Sequence, residues 1–255
     1  MLKPQIFALS EEEKAAQLKA YMAAAAESDK AFDQVLDGKF EIINSNVKAF
    51  GAGDFVHTRG KEGGTYYVEL NIKDAPMKGI AVRRKASSYE ELWVAFAPQG
   101  AVALCVYEID GTKLNGTWYP INGAKDGATV NGAETLTAEK TPGTYKITTA
   151  KGPNGGAEYT GTLTAKPYVP ADGNSTNFAG MFQLTWTLGK TKLQGVGVRV
   201  KGAEGKDVIL AAAGAGKEGF GVGHVYCESA TSIKALDFLF SDGKSGYINL
   251  TRPAQ

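Results

Sequence analysis

The chain has 255 residues, with 28 basic and 27 acidic side chains and a net charge of +1. So even a balance supplies no long-range field toward nucleic acid or an anionic membrane, and neither is expected as a partner. No stretch nears the ~20 apolar residues of a membrane helix, and two cysteines, Cys105 and Cys227, are too few for a disulfide framework.

Residues 1–37 read as an arm followed by an amphipathic helix. Ser10 with Glu11, Glu12 and Glu13 forms a capping box, in which a hydroxyl and a carboxylate satisfy amides exposed at a helix start. Leu18, Tyr21, Met22, Ala25, Phe32, Val35 and Leu36 then keep helical spacing, interrupted by Ser28 and Asp29. The apolar face must pack on the chain's own β-structure or on a partner. Leu18, Met22 and Phe32 are the partner-facing candidates, helped by the apolar arm at residues 6–9, and the expected partner is another protein or a second copy of the chain. The opening residues lack the apolar core of a secretory signal. A cytoplasmic location is expected if Met1 is the native start, and an exported one if a leader has been removed.

Beyond residue 37 the pattern is strands and turns, and it occurs twice. Met77-Lys-Gly-Ile-Ala-Val-Arg-Arg-Lys85 reappears as Leu193-Gln-Gly-Val-Gly-Val-Arg-Val-Lys201. Upstream at the same offset, Tyr66, Val68, Leu70 and Ile72 fall on Phe182, Leu184, Trp186 and Leu188, alternate residues with mostly polar groups between them. That is the period of a half-buried strand. The openings Gly38-Lys-Phe-Glu-Ile42 and Gly143-Thr-Tyr-Lys-Ile147 match, and so do the closings at residues 132–137 and 246–251. The expectation is a mainly β protein: two tandem related antiparallel β-barrel or β-sandwich domains, 38–137 and 143–255, joined at 138–142 and preceded by an N-terminal α-helix. Asp110 and Gly111, and Asn122 and Gly123, are hairpin turn signals.

Few constellations carry chemistry. Gly214, Gly216 and Gly219 have dinucleotide-loop spacing, but a strand-like run at residues 220–226 follows where that mechanism needs a helix. Neither Gly189-Lys190-Thr191 nor Gly243-Lys244-Ser245 has the earlier glycine of a phosphate loop. His224, Cys227, His57 and Cys105 lack the paired spacing of a metal site, and overlaying the repeats places Cys105 and His224 at equivalent packing positions. No metal ion or cofactor is expected. There is no Gly-x-Ser-x-Gly elbow, and the carboxylates Glu69, Glu108 and Glu134 read as strand-surface residues. Arg83 and Arg199 recur at one repeat position and share a strand face with Gly79 and Ala81, and with Gly195 and Gly197. They are candidates for a partner or an anion, against the plainer reading of a solvent face kept soluble by arginine. Of the three tryptophans, Trp186 is in phase with the apolar set and is expected in the core, while Trp93 and Trp118 read as packing residues.

The elements Gly-Thr-Tyr-Lys-Ile, Glu-Tyr-Thr-Gly-Thr-Leu, Leu-Thr-Trp-Thr-Leu and Leu-Gln-Gly-Val-Gly-Val-Arg, with Val-Tyr-Glu-Ile-Asp-Gly-Thr-Lys-Leu-Asn-Gly-Thr-Trp earlier in the chain, resemble a family of small bacterial β-repeat proteins loosely labelled fibronectin-binding-like. The resemblance is best over 143–200, with support from 106–118. It implies a β-repeat fold and no catalytic motif, so it brings no site residues; its members generally carry a leader, whereas this chain opens with a helix. The leading functional expectation is a non-catalytic structural, accessory or protein-binding subunit. The second is a carrier of a small apolar or anionic ligand inside a β-barrel, with Gly195 and Gly197 making room.

Overall fold

A computed structural model describes residues 38–45, 53–59, 65–72, 76–85, 90–98, 103–120, 131–140, 142–168, 180–201, 205–215, 219–229, 232–240 and 245–251, together with Ala16, Lys19 and Ala20. The expectations for Leu18, Met22 and Phe32 lie outside the described residues. The described chain forms strands β1 (Gly38–Ser45), β2 (Gly53–Arg59), β3 (Thr65–Ile72), β4 (Met77–Lys85), β5 (Glu90–Pro98), β6 (Ala103–Asp110), β7 (Lys113–Pro120), β8 (Gly132–Ala138) and β9 (Thr144–Gly152). A short 3-10 turn (Pro153–Gly155) leads to β10 (Gly156–Glu158), β11 (Gly161–Pro167), β12 (Met181–Leu188), β13 (Thr191–Lys201), β14 (Asp207–Gly214), β15 (Gly221–Ser229), β16 (Ser232–Phe240) and β17 (Ser245–Thr251). Gly111, at φ 56°, supplies the left-handed residue of the β6–β7 hairpin expected at Asp110 and Gly111. Among the described residues no helix is long and apolar enough to cross a membrane.

The protein is mainly β, and β1, β17, β16, β15, β5, β4, β3 and β2 pair in that order to close an antiparallel barrel. The other strands form a sheet in the order β10-β9-β11-β12-β13-β14-β6-β7-β8. A further pairing of β8 with β9, with Leu136 opposite Ile147, bends this sheet into a second ring and leaves β10 as a flap on β9. Two self-contained units in succession are therefore not what the ladders build. The closed barrel takes β1–β5 from before residues 138–142 and β15–β17 from after them; the second ring joins β6–β8 to β9 and β11–β14. The halves are joined by β5–β15 and β1–β17 in one ring and by β6–β14 and β8–β9 in the other, with β5–β15 and β6–β14 in corresponding register: Leu92 faces Val225 in one, Ile209 faces Tyr107 in the other. Hydrophobic alternation decides which face of a strand turns inward but is silent about which distant strand lies beside it, so the exchange could not be read from periodicity.

The buried residues fall into three clusters. One fills the closed barrel with Phe40, Tyr66, Leu70, Leu92, Phe96 and Ile248 among others. Another lines the second ring with Cys105, Tyr107, Leu136, Leu184, Trp186 and Ala213. The third, including Ile80, Trp93, Val198, Leu210 and Phe220, lies between the two. Strands at this junction are buried on both faces. Along β5, Leu92, Val94 and Phe96 enter the barrel while Trp93, Ala95 and Ala97 join the middle cluster; along β14, Ile209, Ala211 and Ala213 alternate with Val208, Leu210 and Ala212 in the same way. Two-sided burial is why these segments read as unbroken apolar runs rather than alternating ones. Close strand packing also explains the glycines expected to make room. A Cβ on Gly197 would meet Leu184 Cδ1 at 2.7 Å and the Leu210 carbonyl oxygen at 3.0 Å, and one on Gly195 would collide with the Ala212 carbonyl. They admit neighbouring atoms and leave no hollow.

Candidate functional site

A hollow of about 430 Å³ occupies the open end of the second ring. Its floor is made by residues whose neighbours along each strand point the other way: Ala103 and Cys105 of β6, Glu134 of β8, Trp186 of β12 and Ala213 of β14. Trp118, Leu188 and Leu193 form the wall, and the β9–β10 turn, with Pro153, Gly156, Ala157, Glu158 and Tyr159, hangs over the mouth. The volume lies within the ~300–1,000 Å³ of ordinary small-molecule sites.

Comparing register positions in the two rings shows how the hollow arises. Phe96 sits opposite Gly79 in the closed barrel and is 2% exposed; the position opposite Gly195 in the second ring is Ala213. Val94, opposite Ala81, corresponds likewise to Ala211, opposite Gly197. Replacing a phenyl ring by a methyl group at the same depth removes most of the material that would fill the centre.

The second difference is polar. In the closed barrel Val225 and Ile248 lie opposite successive neighbours across β16, through Leu236, and both are fully buried. In the second ring the same row is Tyr107, Gly116 and Glu134. Gly116 is required there, because a Cβ would approach the Tyr107 ring to 2.5 Å. The ring lies over the glycine, and the Tyr107 hydroxyl donates a short hydrogen bond to Glu134 Oε1. Tyr159, just past β10, donates to Glu134 Oε2 at 2.9 Å, and Trp186 Nε1 donates to the Tyr107 oxygen at 2.9 Å. Glu134 is 5% exposed and makes no ion pair among the described residues. Gly132 plays a matching part under Trp118, whose indole occupies the space a Cβ would need. Trp118 Nε1 is buried and has no hydrogen-bond partner among the described residues.

Burial holds the Glu134 carboxyl above the ordinary carboxylate range, although the hydroxyls of Tyr107 and Tyr159 and the Trp186 indole pull it back. Burial likewise raises the Cys105 thiol, with the nearby Glu134 charge adding to it. The same two causes raise Tyr159, and Tyr107 is raised by burial first and by Cys105 and Glu134 after it. The thiol and both phenols are held protonated, so the hollow offers donors and a poorly solvated carboxyl rather than a nucleophile.

Glu134 is thus the residue that sequence reading misplaced on a strand surface. The signal was present, since Gly132, Glu134 and Leu136 are alternate residues and Leu136 is core. Its fellow candidates do lie outside: Glu69 pairs with Lys78 and Glu108 with Lys206, each at 3.6 Å. Trp186 is core as expected, at 3% exposed. The two arginines are not brought together. Arg83 is buried at 4% exposed, whereas Arg199 is exposed and pairs with Asp207 at 2.6 Å, which holds that carboxyl below its ordinary range.

A second polar group lies between the rings. Glu91 Oε2 accepts from Trp93 Nε1 at 2.7 Å and lies 2.9 Å from His224 Nε2, and the imidazole stacks on the Trp93 indole with centroids 4.1 Å apart. His224 lies opposite Trp93 as Val106 lies opposite Leu210, so its counterpart is Val106 rather than Cys105. All three side chains are buried, which marks the group as an interior lock. Gly214 ends β14 and Gly221 opens β15, so among the described residues a strand, where that mechanism needs a helix, follows the glycines that have dinucleotide-loop spacing. Among the described residues no group of three His, Cys, Asp or Glu could hold a metal ion. Comparison of the chain with protein-family models, with curated proteins and with solved structures gives no match.

Proposed function

We propose that this protein is a non-catalytic binder that carries a small, largely apolar molecule in the hollow of its second ring. The observation that carries this reading is the contrast at one register position, where Phe96 fills the closed barrel and Ala213 leaves about 430 Å³ open. Apolar side chains supply most of the wall, so transfer of an apolar body from water is favourable by roughly 25 cal/mol per Å² buried. The anionic form of the carrier reading fits less well, because among the described lining residues the two charged ones are both carboxylates, Glu134 and Glu158. A structural or accessory subunit docking through Leu18, Met22 and Phe32 rests on residues outside those described, so the hollow favours the carrier.

The matched registers also support an origin by duplication, in which two copies of an eight-strand unit exchanged their last three strands. On that reading one ring kept a filled interior for stability and the other acquired room. Native mass spectrometry of protein purified gently from its source tests the binding directly. A discrete small-molecule adduct released by collisional activation is expected. Protein that stays at its bare mass under the gentlest conditions, together with no uptake of added small apolar molecules, would overturn the reading.

A further inference from the structure

Resting on the reading of the hollow as a binding site, we propose that its ligand is an organic cation, an ammonium group on an apolar body, with the ammonium held against Glu134. Three features of the lining select this chemistry. First, among the described residues the only charged members of its lining are Glu134 on the floor and Glu158 at the mouth, with no lysine or arginine beside them. Among these residues an anion entering the ring would meet two carboxylates and a cation no group of its own sign.

Second, Glu134 has capacity left. Each of its oxygens accepts one tyrosine hydroxyl, and a carboxylate has about four acceptor sites. Two neutral donors orient the group without cancelling its charge, and no cation pairs with it among the described residues. A buried carboxylate in this state is costly in the empty protein. In the closed barrel the same position is Ile248, packed among apolar neighbours, so the ring geometry does not itself demand an acid here. An ammonium ligand gives the acid a cationic partner that the described residues do not supply.

Third, the surfaces flanking Glu134 are aromatic. Trp118, Tyr159 and Trp186 all line the hollow, and the negative face of an indole or phenol ring attracts an ammonium group, indole most strongly. The remaining wall, made of Ala103, Leu188, Leu193 and Ala213, can receive the apolar body. Binding is then linked to protons. Because burial raises the Glu134 carboxyl, a cation must displace its proton, and affinity should climb about tenfold per pH unit until the raised value is passed, then level off.

The test uses three probes of one shape on the full chain: 2-phenylethylamine, 2-phenylethanol and phenylacetate, titrated by calorimetry between pH 5 and pH 8. The ammonium is expected to bind about tenfold or more tightly than the alcohol at pH 8, with the gap narrowing as pH falls, and phenylacetate to bind weakest. Glu134→Gln should shrink the ammonium-to-alcohol affinity ratio by about tenfold, and Glu158→Gln, at an exposed position, by a few-fold. Alcohol or phenylacetate binding as well as the ammonium, or a ratio unmoved by both substitutions, would overturn the cation assignment while leaving the site itself standing. If none of the probes binds and native mass spectrometry finds the protein bare, the binding reading falls and takes the cation with it.

Discussion

The two rings repeat one pattern of strand pairing and differ in what they enclose. In the closed barrel Phe96, Val225 and Ile248 fill the interior; at the same register positions the second ring has Ala213, Tyr107 and Glu134. A ring of eight strands is just wide enough for side chains to fill or for one small ligand to sit. Side-chain size at a few inward positions decides between those outcomes. The comparison therefore sets a packed ring against a hollow, polar-floored one within one chain.

The largest effect should come from making the filled ring hollow. Phe96→Ala removes a fully buried ring from the closed barrel and should destabilise the protein by about 3–5 kcal/mol, measured by denaturant unfolding. A cost below about 1 kcal/mol would mean that the barrel interior is loosely packed. Making the hollow ring filled is the reverse experiment. Ala213→Phe should weaken ligand binding by about 100-fold, roughly 2.7 kcal/mol, without lowering the unfolding free energy. Binding that survives this change would place the ligand elsewhere.

Gly116→Ala comes next. Its Cβ would press on a Tyr107 ring whose hydroxyl is tied to Glu134 and Trp186, so repacking should cost about 1–3 kcal/mol in denaturant unfolding. The smallest effect is a slope with pH. Glu134 binds its proton more tightly in the folded than in the unfolded chain, so its contribution is fully present below the unfolded value of about 4.3. It is lost as pH rises from there through the raised folded value. Melting temperatures of the ligand-free protein should therefore fall across that window, and Glu134→Gln should flatten the fall.

Much of the local structure was legible in the sequence. Alternation placed Leu70 and Trp186 inward, and they are 2% and 3% exposed; the turn at Asp110 and Gly111 is a hairpin. The exchange of strands between halves was not legible, because the β5–β15 and β6–β14 ladders depend on pairings between distant segments that local periodicity does not encode. The site was only half visible. Trp186 follows from the apolar stripe, whereas the chemistry of an acid points Glu134 to the surface although it alternates with the buried Leu136. An acid in phase with core residues is a stronger signal than its chemistry alone suggests. Arg83 and Arg199 teach the converse: one repeat position holds a buried arginine in one ring and an exposed, ion-paired one in the other, so matching sequence did not mean matching surroundings.

The most direct test is the occupancy of the protein and its Ala213→Phe variant, purified in parallel from the same source and weighed by native mass spectrometry. The account predicts a small-molecule adduct on the unaltered chain and none on the variant, with the variant folded and at least as resistant to denaturant. Equal occupancy of the two proteins would contradict it.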